Sequence, residues 1–147
     1  LMIKRITLHK AFSDNLPRIL GISGELIHVF VNIISNAIDA MEDNGKLEIV
    51  TDLIRGAEPA AEDLVRVTIN DNGHGICAEN IEKVFTPFFT TKELGKGTGL
   101  GLSVVKRIVK MHKGNVDVLS KVNHGTSFIF SFPSVNTDEK TDECINC

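Results

Sequence analysis

Leu26-Ile27-His28-Val29-Phe30-Val31-Asn32-Ile33-Ile34-Ser35-Asn36-Ala37-Ile38-Asp39-Ala40-Met41 decides the fold of this chain. Leu26, Phe30, Ile33, Ala37 and Met41 recur at helical spacing and predict a helix that buries one apolar face. Asn32 and Asn36 stand four residues apart on a neighbouring face, one turn from each other and reaching into the same space. Packing offers no reason for two amides there. Each carries a carbonyl oxygen and two N–H donors, and a buried amide left uncompensated costs about 1–3 kcal/mol. Something polar is expected to meet them, and a hydrated metal ion or a phosphate has the right chemistry. Ser23 reads as the N-cap, with Glu25 in the first turn, and Asp43-Asn44-Gly45 ends the helix.

The rest of the chain bounds what such a helix serves. Its 147 residues amount to about one domain, with 42% hydrophobic and 24% charged residues, as in ordinary globular domains. A net charge of −3 argues against a broad nucleic-acid or membrane surface, so a bound anion must be held by local geometry. No run reaches the ~18–20 apolar residues of a membrane span, and no signal-peptide pattern opens the chain. Any membrane anchor of a parent protein would lie outside it, and the expected location is cytoplasmic. Cys77, Cys144 and Cys147 are an odd set, and the lone Cys144–Cys147 pair lacks the further ligands of a zinc site.

Outward from the helix, Ile3–Phe12 reads as a strand, followed by a turn at Ser13–Pro17. Leu47–Ile54 and Leu64–Asn70 are β-rich runs joined by an exposed loop over residues 55–63. A short helix is expected over Ala78–Val84. Phe85–Gly99 reads as a loop, long enough in a compact domain to suggest function. Leu100–Lys113 is a second amphipathic helix, with Gly114 as its C′ stop. Val116–Leu119 and Thr126–Phe132 form a closing hairpin about Asn123–Gly125, and residues 134–147 an acidic tail expected to be disordered. These elements predict an α/β two-layer sandwich: a mixed, mostly antiparallel sheet covered on one face by about three helices, with one domain over residues 1–133.

Three further stretches carry chemistry. Asp71-Asn72-Gly73-His74-Gly75-Ile76 follows a strand, where a carboxylate beside glycines lets backbone approach a ligand and can accept from an exocyclic amine. By itself it is equally a common turn. Gly95-Lys96-Gly97-Thr98-Gly99-Leu100-Gly101-Leu102 opens the second helix. Free N–H groups and a helix N-terminus worth about half a positive charge make it a phosphate cradle in form, or else a glycine hinge. It is neither a P-loop nor a dinucleotide fingerprint. Lys92 and Lys96 flank it. Phe85-Thr86-Pro87-Phe88-Phe89-Thr90-Thr91-Lys92 places three phenylalanines just before, as lid anchors or as simple packing.

Together, in this order and spacing, the four stretches resemble the catalytic ATP-binding domain of two-component sensor histidine kinases. That domain has the Bergerat fold shared with DNA gyrase B, Hsp90 and MutL. Asn32–Ala40 resembles the N box, Asp71–Ile76 the G1 box, Phe85–Phe89 the F box and Gly97–Leu102 the G2 box, and Gly125-Thr126-Ser127-Phe128 matches a last motif. The Phe-Phe-Thr-Thr-Lys lead into a short lid is most like the nitrogen-regulation type.

The resemblance implies ATP and Mg²⁺ as cofactors. Asn36 would hold Mg²⁺, with Asn32 supporting it or the phosphates and Asp39 alongside in the same box. Asp71 would read the adenine amine in a pocket shaped by Gly73, Gly75 and Ile76, with Thr126 nearby. Gly97, Thr98, Gly99, Leu100, Gly101 and Leu102 would surround the phosphates through backbone N–H groups. Phe88 and Lys92 would belong to the lid, and Asn32, Asn36 and Lys92 would carry the catalysis. In the hydrolases of this superfamily the position of Asn32 holds a glutamate that activates water. An amide cannot act as that base, so Asn32 favours phosphoryl transfer over hydrolysis. Rival readings are a gyrase–MutL type ATPase, an anti-sigma-factor type serine kinase, which lacks a strong F box, and a nucleotide-dependent binding module. His28 stands where these helices often carry glutamine, and Cys77 is expected to be structural.

The expected partners are a histidine-bearing dimerisation domain of the same parent protein and a response-regulator receiver domain. None of His9, His28, His74, His112 or His124 has the His-Glu/Asp-x-x-x-Pro context of the family's acceptor histidine. The chain is therefore expected to be a monomer that begins after the dimerising hairpin. It should bind ATP and Mg²⁺ without phosphorylating itself. Acid-labile label on this chain after incubation with γ-labelled ATP would refute that expectation.

Overall fold

The computed structural model describes residues 4–57, 62–92 and 97–135. The expected strand start at Ile3, the middle of the loop over residues 55–63, Gly95, Lys96, Cys144, Cys147 and the tail from residue 136 lie outside them. Six strands and three helices follow in the order β1 (Ile6–Phe12), β2 (Arg18–Ile19), α1 (Ser23–Ala40), β3 (Gly45–Ile54), β4 (Leu64–Asp71), α2 (Ala78–Ile81), α3 (Gly101–Met111), β5 (Asn115–Lys121) and β6 (Gly125–Val135). No helix among the described residues is long and apolar enough to cross a membrane.

The sheet is mixed, with neighbours β1-β3-β4-β6-β2 and β5 also on β6. Only β1 and β3 run parallel, Ile6 opposite Gly45 and Phe12 opposite Thr51. β3–β4, β4–β6, β5–β6 and β2–β6 are antiparallel, so the predicted two-layer, mostly antiparallel architecture is the one observed. Strand periodicity puts Phe128, Phe130 and Phe132 on one face of β6, where all three are buried. Against them pack Val29, Ile33 and Ala37 of α1 and Val105, Ile108 and Val109 of α3, together with Leu47, Ile69 and Val116 from the other strands. The buried face of α1 thus centres on Val29, while the expected Leu26 and Phe30 are only partly covered at its flank. Phe30 meets the Phe130 ring edge-on at 5.6 Å between centroids.

Several boundaries shift for local reasons. Ser23 is the first residue of α1, not its cap: Ile22 holds the extended cap position, and no side chain caps the helix. The C′ stop of α3 is Lys113, left-handed at φ 55, not Gly114. The N–H of Gly114 donates to the Val109 carbonyl at 2.9 Å and that of Lys113 to Lys110 at 3.0 Å, the bond pair of a Schellman motif. Gly114 serves close packing, since a Cβ there would stand 2.7 Å from the Phe132 ring. The helix expected over Ala78–Val84 is regular only to Ile81. Strand β2, unforeseen, pairs Arg18 with Val135 and Ile19 with Ser134, which draws Ser134 and Val135 out of the expected tail.

Phe130 is fully buried at the centre of both helix contacts. Phe130→Ala is expected to cost about 3–5 kcal/mol of unfolding free energy, read as a lower urea midpoint.

Candidate functional site

Helix α1 carries the two asparagines, and its long apolar face leaves their own face free for chemistry. The Asn32 amide is half used by its own helix: Nδ2 donates to the His28 carbonyl at 3.0 Å. Its Oδ1 faces the start of α3, where a Cβ on Gly101 would approach it to 2.9 Å. A side chain at position 101 would therefore displace the Asn32 amide. The side chain of Asn36, one turn further and half-buried, makes no hydrogen bond to another described residue. The two amides are thus unequal, and the uncommitted one is Asn36.

Opposite them, α3 opens with a row of backbone donors. Val104 is the first residue of α3 whose N–H finds a helical carbonyl, Leu100 at 3.0 Å. The N–H groups of Gly97, Thr98, Gly99, Gly101, Leu102 and Ser103 have no protein acceptor among the described residues. Thr98 Oγ1 lies 3.4 Å from the Leu100 nitrogen and turns the loop into the helix. Leu100 is exposed, and Leu102 packs on the core. An exposed row of N–H donors at a helix N-terminus is a site for an anion.

The loop before α3 is pinned at both ends. Phe85 packs edge-on against Phe128 at 6.4 Å, and Lys106 Nζ lies over the Phe85 ring at 5.2 Å from its centre. Phe88, by contrast, is 75% exposed and left-handed at φ 66, so it anchors nothing by packing. Its N–H donates to the Gly99 carbonyl at 2.9 Å. Gly99, at φ +65, has no room for a Cβ against the Phe88 backbone. Lys92 does not stand free: Nζ lies 2.6 Å from Asp39 Oδ2 on α1. Two residues expected separately at the ligand are joined to each other, in a half-exposed pair worth about 0–1 kcal/mol.

Asp71 closes β4 and is 9% exposed. Its Oδ1 accepts the Gly73 N–H at 2.8 Å. Burial raises its carboxyl above the ordinary value, against the opposing pull of the Gly73 and Thr126 N–H donors and of His74. Gly125 (φ +91) lies so close to the Asp71 carbonyl that no Cβ fits between them. Ser120, unforeseen in the sequence, ties this end together. Its Oγ accepts the Ile76 N–H at 2.8 Å, donates to the Gly125 carbonyl at 2.8 Å and meets Thr126 Oγ1 at 2.9 Å. The only signal for it is its place opposite Thr126 in the hairpin register. Asn72 is structural: its Oδ1 accepts the Lys46 N–H at 2.7 Å. The loop beyond folds back on α1, His74 N–H donating to the Ala40 carbonyl at 3.0 Å. Cys77, expected to be structural, is exposed at the start of α2.

Depressions of about 300 and 310 Å³ border Asp71, the first lined by Ser120, Lys121 and His124, the second by His9, Lys46 and Glu48. Neither is lined by Asn36 or by the residues that open α3. No cluster of three or more His, Cys, Asp or Glu residues able to hold a metal ion occurs among the described residues. One free amide does fit Mg²⁺, which keeps several waters and binds through few protein ligands together with substrate phosphates.

Residues 21–136 match the histidine kinase-, DNA gyrase B-, and HSP90-like ATPase family. The chain belongs to that family. It is 40% identical over 128 residues to sensor kinase CckA of Brucella abortus (strain 2308), covering 82% of this chain and 14% of that protein. It is 36% identical over 137 residues to sensor histidine kinase ZraS of Escherichia coli (strain K12), covering 93% and 27%. The chain thus spans 14% of the one protein's length and 27% of the other's. Its fold matches the nucleotide-free catalytic domain of histidine kinase ThkA with a TM-score of 0.73 at 32% identity, over 88% of this chain and 79% of that one. Full-length ShkA in complex with AMPPNP matches with a TM-score of 0.73 at 29% identity, over 88% and 26%.

Because the folded pKa of Asp71 lies above its unfolded value of about 3.9, folding favours the protonated carboxyl. Its contribution to stability is present at low pH and lost as pH rises through the folded pKa. In urea melts, the stability difference between wild type and Asp71→Asn should move toward wild type as pH falls through the window just above the ordinary aspartate range. A difference flat across that window would contradict the burial effect.

Proposed function

We propose that this domain binds Mg-ATP in the groove between α1 and α3 and passes the γ-phosphoryl group to a histidine on a dimerising helical domain of the same parent protein. A response-regulator receiver domain would take it onward, and the whole would operate in the cytoplasm. The observation that carries this reading is the free Asn36 amide on α1, the N–H row from Gly97 to Ser103 that, Leu100 apart, has no acceptor among the described residues, and Asp71 buried at the end of β4. One side suits a metal and the other a polyphosphate, while a buried carboxylate suits an exocyclic amine.

Each residue has a part. Asp71 would accept from the adenine amine, held ready by the Gly73 and Thr126 donors, with Gly75 and Ile76 as pocket wall. The N–H groups of Gly97, Thr98, Gly99, Gly101 and Leu102 would hold phosphate oxygens. Asn36 would hold Mg²⁺, which when bound neutralises phosphate charge and fixes the phosphates in line. Lys92 would exchange Asp39 for a phosphate oxygen, a cheap exchange because the exposed ion pair is weak. Phe88 and Gly99, bonded to each other, would serve as the hinge of the lid. Transfer forms a P–N bond to the acceptor histidine as the P–O bond to ADP breaks.

Asn32 supports transfer over hydrolysis. It offers no carboxylate to take a proton from water, its Nδ2 is bonded to His28 and its Oδ1 is packed against Gly101. The domain's task is then positioning and charge neutralisation.

Fluorescent-nucleotide titrations of wild type, Asn36→Ala and Asp71→Asn, with and without Mg²⁺, test the site. Asn36→Ala is expected to lose the Mg²⁺-dependent part of binding, and Asp71→Asn to weaken binding about tenfold or more regardless of Mg²⁺. If all three bind alike, the site is misplaced. Adding an acceptor hairpin in trans with γ-labelled ATP should then put acid-labile phosphate on the hairpin. Nucleotide binding without such labelling would leave a binding module, not a kinase.

A further inference from the structure

The two helices that flank the groove are joined at their far ends by one side chain. His112, just past α3, is buried, with its side chain 5% exposed. Its Nδ1 lies 2.8 Å from the Ile108 carbonyl oxygen. Its Nε2 lies 3.0 Å from the backbone nitrogen of Ile22, the cap position of α1, ninety residues away in sequence. A carbonyl only accepts and a backbone N–H only donates, so the proton is on Nδ1 and the lone pair on Nε2. Glu25 Oε2 also comes within 3.8 Å of Nε2. With that lone pair already taken by Ile22, the contact is no ion pair, and Glu25 Oε2 is in fact buried without a hydrogen-bond partner. Gly21 makes room for the joint, since a Cβ there would stand 2.7 Å from His112 Cδ2.

α1 and α3 pack on each other through the core, and two further points of approach between them are defined by polar groups. One is Asn32 against Gly101, at the groove. The other is Ile22 on His112, ten residues back along α1 and eleven forward along α3. At 1.5 Å per residue these arms are about 15 and 16.5 Å long, nearly equal, as two antiparallel helices bridged twice require. The core holds the two helices together, the His112 bond adds a directional tie at the end remote from Asn36, and a shift of about 1 Å is enough to spoil a phosphate site.

We propose that His112 is a positioning residue for the phosphate end of the site. Through its bond to Ile22 it sets the spacing between Asn36 and the free N–H row of α3, without touching the ligand itself. The proposal rests on the Mg-ATP reading of the groove.

Two half-substitutions of the ring separate this role from plain stability. His112→Asn puts a donor where Nδ1 was and keeps the Ile108 bond, but cannot reach Ile22. His112→Gln can place an oxygen near Nε2 and accept from Ile22, while losing the Ile108 bond. Both are expected to lower the urea midpoint. In titrations with a fluorescent ATP analogue and Mg²⁺, well below the unfolding transition, His112→Gln should bind within about twofold of wild type and His112→Asn about three- to tenfold more weakly, with faster amide exchange at Ile22. Ile22→Pro removes the donor and leaves the ring in place, and should weaken binding as His112→Asn does. It decides the matter if His112→Asn does not fold.

Equal affinity of His112→Asn or Ile22→Pro with wild type overturns the proposal, as does a loss in His112→Gln as large as in His112→Asn. A wild-type domain that binds no nucleotide overturns the reading of the groove and this proposal with it. Wild-type binding that Asn36→Ala weakens and His112→Asn does not overturns the positioning role alone.

Discussion

Three phenylalanines on one face of β6 hold the architecture together. Phe128, Phe130 and Phe132 lie at the level where both long helices meet the sheet, so α1 and α3 are referred to one surface and through it to each other. Each helix brings one half of the proposed site: α1 the amides, α3 the N–H row. The spacing of the halves follows from side-chain volume beneath them, because close-packed interiors do not deform gradually. The hydrophobic core in this sense sets the geometry of the proposed ligand site.

The strand end shows a different economy. Asp71 is buried at a cost, visible in the raised carboxyl, and backbone donors from Gly73 and Thr126 offset that cost in part. The hairpin turn is drawn so tightly against the strand that position 125 admits no side chain. Ser120 links that turn to the Ile76 backbone. An acceptor held in this way is pre-organised, and a ligand amine meeting it has little ordering left to do. The end at Phe88 and Lys92 is arranged oppositely. Lys92 and Asp39 form an exposed pair, and Phe88 stands in solvent, so this end can rearrange cheaply.

How far the sequence could be read depended on the range of the interactions involved. Helical and strand periods, the Asp-Asn-Gly turn and the glycine loop are short-range patterns, and they placed α1, α3, the β3–β4 pair and the β5–β6 hairpin within a few residues. Ser23 failed as a cap because the chain enters α1 through Ile22, whose N–H is bound to a distant histidine. Gly114 looked like the helix stop, but the left-handed turn fell on Lys113 while the Phe132 ring claimed the space above the glycine. β2 is two residues long and paired with the far end of the chain, too short for any period to show. Ser120 and His112 carried no local mark at all.

By itself, the sequence determined which chemistry is available: two amides one turn apart with no carboxylate at position 32, an aspartate closing a strand, and glycines opening a helix. These are properties of residue type and near-neighbour spacing, which need no knowledge of what lies opposite. Only the tertiary structure decided that Asn32 is committed to its own helix and to Gly101 while Asn36 is free, that Lys92 rests on Asp39, and that His112 ties the two helices at their remote ends. Those outcomes depend on which groups compete for each donor and acceptor once the chain is packed. Apart from His28 beneath Asn32, such partners come from tens of residues away, where no local pattern can specify them.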